Sequence, residues 1–152
     1  MNMIRGFVRT AAHALAVLTI QACSDSLGPE DFAGTYQLER YEGRTLPAVV
    51  TQSTFGTLFM VSQRIVLGDN GRGVIMTTSR TEDPVTPQGA DISYSRQVGY
   101  VVRGSRVELT IICPPEADCI AGPHYIGERV SSGLALGSPA SSKPASIYKR
   151  VH

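Results

Sequence analysis

From Gly34 onward, apolar residues alternate with polar ones far more often than they recur every three or four positions, the signature of half-buried strands. Thr35 to Tyr41 puts Tyr36 and Leu38 on one face and Gln37 and Glu39 on the other. Glu42-Gly43 follows as a turn, because glycine takes positive φ without steric cost. Thr57 to Leu67 is a long β-type run that ends at Gly68-Asp69-Asn70-Gly71, the strongest hairpin signal in the chain, from which Val74 to Thr78 returns. Thr81 to Ala90 is a polar break, and its Pro84 and Pro87 cannot continue a ladder. Ile92, Tyr94, Val98, Tyr100 and Val102 mark the next strand, with an irregularity expected near Gly99. After Arg103-Gly104-Ser105, the residues Val107, Leu109, Ile111 and Cys113 alternate back. Tyr125 to Val130 and Leu134 to Leu136 are weaker candidates, Ser138 to Ala145 reads as a loop, and Ile147 to Val151 closes the chain as a short strand. Pro29 to Phe32 is one helical turn at best. Seven or eight hairpin-linked strands predict an all-β, antiparallel up-and-down meander. Closure into a small barrel of about eight strands removes its exposed edges. A β-sandwich is the alternative.

The first twenty-odd residues follow a different pattern. Arg5 and Arg9 form a basic start, and Ala11 to Ile20 is apolar apart from His13 and Thr19. That length suits the hydrophobic core of an export signal and falls well short of the roughly 20 residues a spanning helix needs. The run ends in Leu18-Thr19-Ile20-Gln21-Ala22-Cys23, which resembles a bacterial lipobox: Ile20 is the aliphatic residue three before the cysteine, and Ala22 lets the peptidase approach the backbone. An ordinary secretory signal with a chance cysteine is the other reading. The resemblance implies a signal peptide over residues 1–22, a lipidated Cys23 opening a short tether over 23–31, and one β domain over 32–152. Two acyl chains on Cys23 would hold the protein stably at a bilayer, where one would not. Ser24 after the cysteine resembles the pattern that permits transfer to an outer membrane, so the expected place is the cell envelope, at the outer membrane if there is one.

Three cysteines in an exported chain leave one unpaired, and lipidation of Cys23 accounts for it. Cys113 and Cys119 then remain, separated by a turn-forming Pro114-Pro115-Glu116-Ala117-Asp118 that lets them close a disulfide. The rival reading makes Cys113, Cys119 and His124 metal ligands with Glu116 or Asp118, but the spacing is wider than in a zinc knuckle. We expect no metal and no cofactor.

Charge narrows the function further. Removing Arg5 and Arg9 takes 14 basic residues to 12 against 13 acidic ones, a net of −1. With no basic stripe to track phosphates, nucleic-acid binding is not expected. No Gly-x-Ser-x-Gly occurs, and the paired acids Glu30/Asp31, Glu82/Asp83 and Glu116/Asp118 all fall in turns. A nucleophile needs a base and an orienting partner, and no neighbourhood supplies that set, so an enzyme is not expected.

Phe32-Ala33-Gly34-Thr35-Tyr36-Gln37-Leu38, followed by Gly43-Arg44-Thr45-Leu46-Pro47-Ala48, resembles the opening of small bacterial lipocalin-like lipoproteins, and Ile147-Tyr148-Lys149-Arg150 resembles their ending. Lipocalins carry a tryptophan on the first strand, packed under a basic residue from the last. Tyr36 stands in that place, with Lys149 or Arg150 as the basic partner. The resemblance implies a fold more than an activity. Two functions follow as expectations. One is an anchored module that binds a small apolar or amphipathic molecule in its barrel, with Leu46, Val49, Val50 and Phe55 in a loop over the mouth. The other is a filled barrel that acts as a non-catalytic interaction or scaffold module for an envelope protein.

Overall fold

Alternating sequences pair as ribbons, and here the ribbons follow one another around a closed sheet. The structure is a computed structural model that describes residues 27–85, 89–116 and 125–152. Among these lie a one-turn helix α1 (Pro29–Phe32) and ten strands: β1 (Gly34–Tyr41), β2 (Arg44–Thr45), β3 (Ala48–Ser53), β4 (Gly56–Leu67), β5 (Arg72–Glu82), β6 (Asp91–Arg103), β7 (Arg106–Ile111), β8 (Tyr125–Val130), β9 (Gly133–Gly137) and β10 (Ser146–Val151). β4 to β10 form a meander of antiparallel neighbours. β1 then bonds both β10 and β4, closing a barrel of eight strands and leaving β2 and β3 as additions. Closure through β1 excludes the sandwich. Both long barrel edges thereby disappear, which is what a meander of this composition requires.

β4 is long enough to serve two partners. Its second half, Arg64 to Leu67, pairs with β1, and its first half, Gly56 to Met60, pairs with β3. The chain leaves β1 through Glu42 and Gly43, both at positive φ (47° and 80°), the conformation of a tight two-residue hairpin. Asp69 to Gly71 turns β4 into β5, with Gly71 at φ 74°. No irregularity occurs at Gly99, which pairs in continuous register with Arg72 and Thr110. The register breaks lie elsewhere, leaving Glu39, Val50 and Val61 as extra residues in β1, β3 and β4. Those in β1 and β4 flip the parity of the strand: Leu38 and Tyr41 both face inward, as do Met60 and Gln63, although neither pair has even spacing.

One end of the barrel is solid. Phe32, Ile65, Val98, Val107, Leu109 and Leu134 are fully buried there and in the middle layers. Residues 29–31, read from sequence as tether, belong to this end: α1 plugs it with Phe32 pointing in. Among the described residues, only the Pro29 carbonyl of the single turn has a backbone partner, the Ala33 N–H at 2.9 Å, and barrel side chains reach other carbonyls of the segment. Tyr36 Oη donates to Phe32 O at 2.8 Å and Arg150 Nη2 to Ala33 O at 2.6 Å; Tyr100 Oη lies within hydrogen-bond reach of Pro29 O, at 2.9 Å, and of Gly68 O, which share its one proton. Tyr36 is 2% exposed and pairs in register with Arg150, whose Cζ lies 6.0 Å from the ring centroid. The expected partnership of first and last strands is therefore present, through Arg150 over the ring face and not through a bond to the hydroxyl. Lys149 projects to the other face of the sheet and is exposed.

Candidate functional site at the open end of the barrel

The opposite end is not filled. A cavity of about 230 Å³ enters it, lined by residues of all eight barrel strands, of β3 and of the β9–β10 loop. Its floor is apolar, made by Met60, Ile75 and Leu136, each under a tenth exposed. Above the floor stand four tyrosines, Tyr41, Tyr94, Tyr125 and Tyr148, together with Gln63, Thr77 and Arg96. The parity flips at Glu39 and Val61 are what bring Tyr41 and Met60 into this ring, and the extra residue in β3 is Val50, which also lines it.

The deepest polar groups are satisfied internally. Tyr148 Oη donates to Gln63 Oε1, and Gln63 Nε2 donates to Thr77 Oγ1 at 2.8 Å. Burial pushes the Tyr148 hydroxyl far above the ordinary phenol range, with the nearby Tyr125 and Tyr41 hydroxyls adding to the shift. Burial also raises Tyr125, opposed by the charge of Arg96 and reinforced by Tyr94. Tyr41 is raised by burial first and then by Glu42. The rim carries one carboxylate. Glu42, held at positive φ, donates its backbone N–H to Ser146 Oγ at 3.1 Å; its side chain accepts Lys143 Nζ at 2.9 Å and Arg44 Nη2 at 3.1 Å. Arg96 lies over the Tyr94 ring, with Cζ 5.1 Å from the centroid, and makes no ion pair with any described residue.

Of the four residues expected at the mouth, Val50 lines the cavity and Leu46 packs half-buried against the core. Val49 pairs with Phe59 and does not line it. Phe55 stands at the tip of the β3–β4 hairpin, 89% exposed. The mouth-covering loop is corrected by the structure: Ala48 to Ser53 is a strand, because β4 offers it a free edge where β1 turns away. Tyr36 and Tyr100 belong to the solid end, whereas Tyr94 and Met60 reach the cavity. Cys23, Cys119, His124 and the segment 1–22 lie outside the described residues. Among the described residues no group of three His, Cys, Asp or Glu side chains is placed to hold a metal ion.

No protein-family model matches the chain, and the searches of curated proteins and of solved structures found no match either.

Proposed function

We propose that the protein is an envelope lipoprotein, anchored through acylated Cys23, whose lipocalin-like barrel binds a small apolar or amphipathic molecule in its open end. The observation that carries the binding reading is a cavity of about 230 Å³ with an apolar floor and a polar rim; the concavity of about 220 Å³ at the other end, beside Tyr36 and Arg150, is lined mainly by polar residues. Ligand sites are concave, mostly apolar and furnished with a few placed polar groups. At about 230 Å³ the cavity suits a small guest or one end of a larger one. The buried Tyr36 beneath Arg150 supports the lipocalin-like kinship.

Anchorage and site are compatible in this arrangement. The described chain enters the fold at the plugged end, where Leu27 packs against the core. The five residues from Cys23 to Leu27 reach at most roughly 18 Å, so the mouth opens away from the bilayer that holds the lipid. A disulfide between Cys113 and Cys119 would fasten the loop after β7, and Cys113 is a partnered residue. A second reading, docking of an envelope protein, is favoured by Phe55 and Val85, which stand 89% and 84% exposed.

Native mass spectrometry of the protein released from its own envelope tests the proposal. The expected spectrum carries two mass increments, one covalent for the acyl groups on Cys23 and one dissociable for a small molecule. An unmodified Cys23 overturns the anchor, and a chain with no dissociable guest overturns the binding reading in favour of docking.

A further inference from the structure

The open-end cavity combines three features that together select a ligand class. First, four of the chain's six tyrosines line it, offering flat apolar faces with polar edges. Second, its carboxylate, Glu42, is already held by two cations, Lys143 and Arg44. Third, Arg96 and the Tyr125 hydroxyl converge on the same space, and neither makes a hydrogen bond or ion pair with a described residue. Tyr125 is no orphaned buried group, because every buried side-chain polar atom described has a partner; its hydroxyl is therefore accessible, on a residue that lines the cavity. Two unused donors, one of them a permanently charged planar fork, stand beside aromatic walls and above an apolar floor.

Resting on the reading of this cavity as a ligand site, we infer that its guest is a small aromatic monocarboxylate, bound with its carboxylate on Arg96 and Tyr125 and its ring against Tyr94 and the apolar floor. A guanidinium matches a carboxylate through two parallel N–H···O bonds, and a phenol supplies a third donor without adding charge. A cationic guest meets Arg96 and Lys143 and finds the carboxylate of Glu42 occupied. A purely apolar guest would leave the donors of Arg96 and Tyr125 unused. The volume admits roughly one ring and a short acid arm.

Because the chain contains no tryptophan, tyrosine emission reports the cavity directly. The full chain, in lipid nanodiscs, is titrated with 3-phenylpropanoate and with its neutral counterpart 3-phenylpropan-1-ol. The acid is expected to change the emission saturably and to bind about tenfold or more tightly than the alcohol, the usual worth of a charge-assisted bond. Arg96→Gln is expected to remove that preference by weakening the acid alone, and Tyr125→Phe to weaken it severalfold. Arg96 is exposed on its strand, so the variant folds. Equal binding of acid and alcohol, or an Arg96→Gln variant that keeps the preference, overturns the carboxylate assignment and leaves the cavity reading standing. If neither compound binds, the cavity reading itself fails and this inference with it.

Discussion

The two ends of the barrel are built from the same strands and the same residue types, yet they finish differently. At the plugged end, Tyr36, Tyr100 and Arg150 each find a carbonyl of the α1 segment, and the interior beneath them is packed solid. At the open end, Tyr148 finds Gln63 and Arg96 lies over the Tyr94 ring, but neither Tyr125 nor Arg96 makes a hydrogen bond or ion pair with a described residue, and space remains. The buried tyrosine hydroxyls of the plugged end thus meet backbone carbonyls, whereas the Tyr125 hydroxyl at the open end meets no described acceptor. Tyrosine is neither a core residue nor a site residue by type; what its hydroxyl meets decides which it becomes.

Raising the pH has the largest expected effect, because it acts on both ends together. Burial raises the hydroxyls of Tyr36 and Tyr100 at one end and of Tyr41, Tyr125 and Tyr148 at the other above the unfolded value of 10.0. A group whose folded pKa is raised keeps its proton longer in the native state. Its contribution is complete below the unfolded value and is lost as pH climbs through the folded one. Stability should therefore hold up to about pH 10 and fall steadily above it. Denaturant midpoints followed with tyrosinate absorbance check this, and an alkaline plateau would contradict it.

Single substitutions then separate the ends. Tyr36→Ala empties a packed site and should cost around 3–5 kcal/mol, enough to unfold or nearly unfold the domain. Tyr36→Phe keeps the ring and loses one hydrogen bond, costing about 1 kcal/mol. Smallest of all, Arg96→Gln at the open end should stay within about 0.5 kcal/mol of the parent. Urea denaturation of the three variants gives the order, and an Arg96 effect as large as that of Tyr36→Ala would erase the distinction between the ends.

Much of the fold was legible because β pairing writes itself locally. Val107, Leu109 and Ile111 alternate and are buried or half-buried in β7, and Asp69-Asn70-Gly71 does turn β4 into β5. The partnership of Tyr36 with a basic residue of the last strand was legible from the lipocalin-like resemblance, with Lys149 and Arg150 both open, and the register selects Arg150. The cavity was not. Its wall gathers residues as distant as Tyr41 and Tyr148, and two bulges, at Glu39 and Val61, invert the inward face at places where no glycine or proline marks them. Alternation read straight through Glu39 sends Tyr41 outward, and read straight through Val61 it sends Gln63 away from Met60's face. Arg96 and Thr77 looked like ordinary polar strand residues, because nothing local says that their side of the strand faces an unfilled space. The same ambiguity made β3 look like a loop: its partner, the first half of β4, is free only because β1 has already turned away.

The central claim, that one end is solid and the other takes a guest, is tested most directly by mapping methyl chemical shifts while 3-phenylpropanoate is added. The account predicts saturable shifts at Met60, Ile75, Ile111 and Leu136, which line the cavity, and none at Val98, Val107, Leu109 and Leu134 in the solid part. Shifts spread evenly through both sets, or confined to exposed methyls such as Val85, would contradict it.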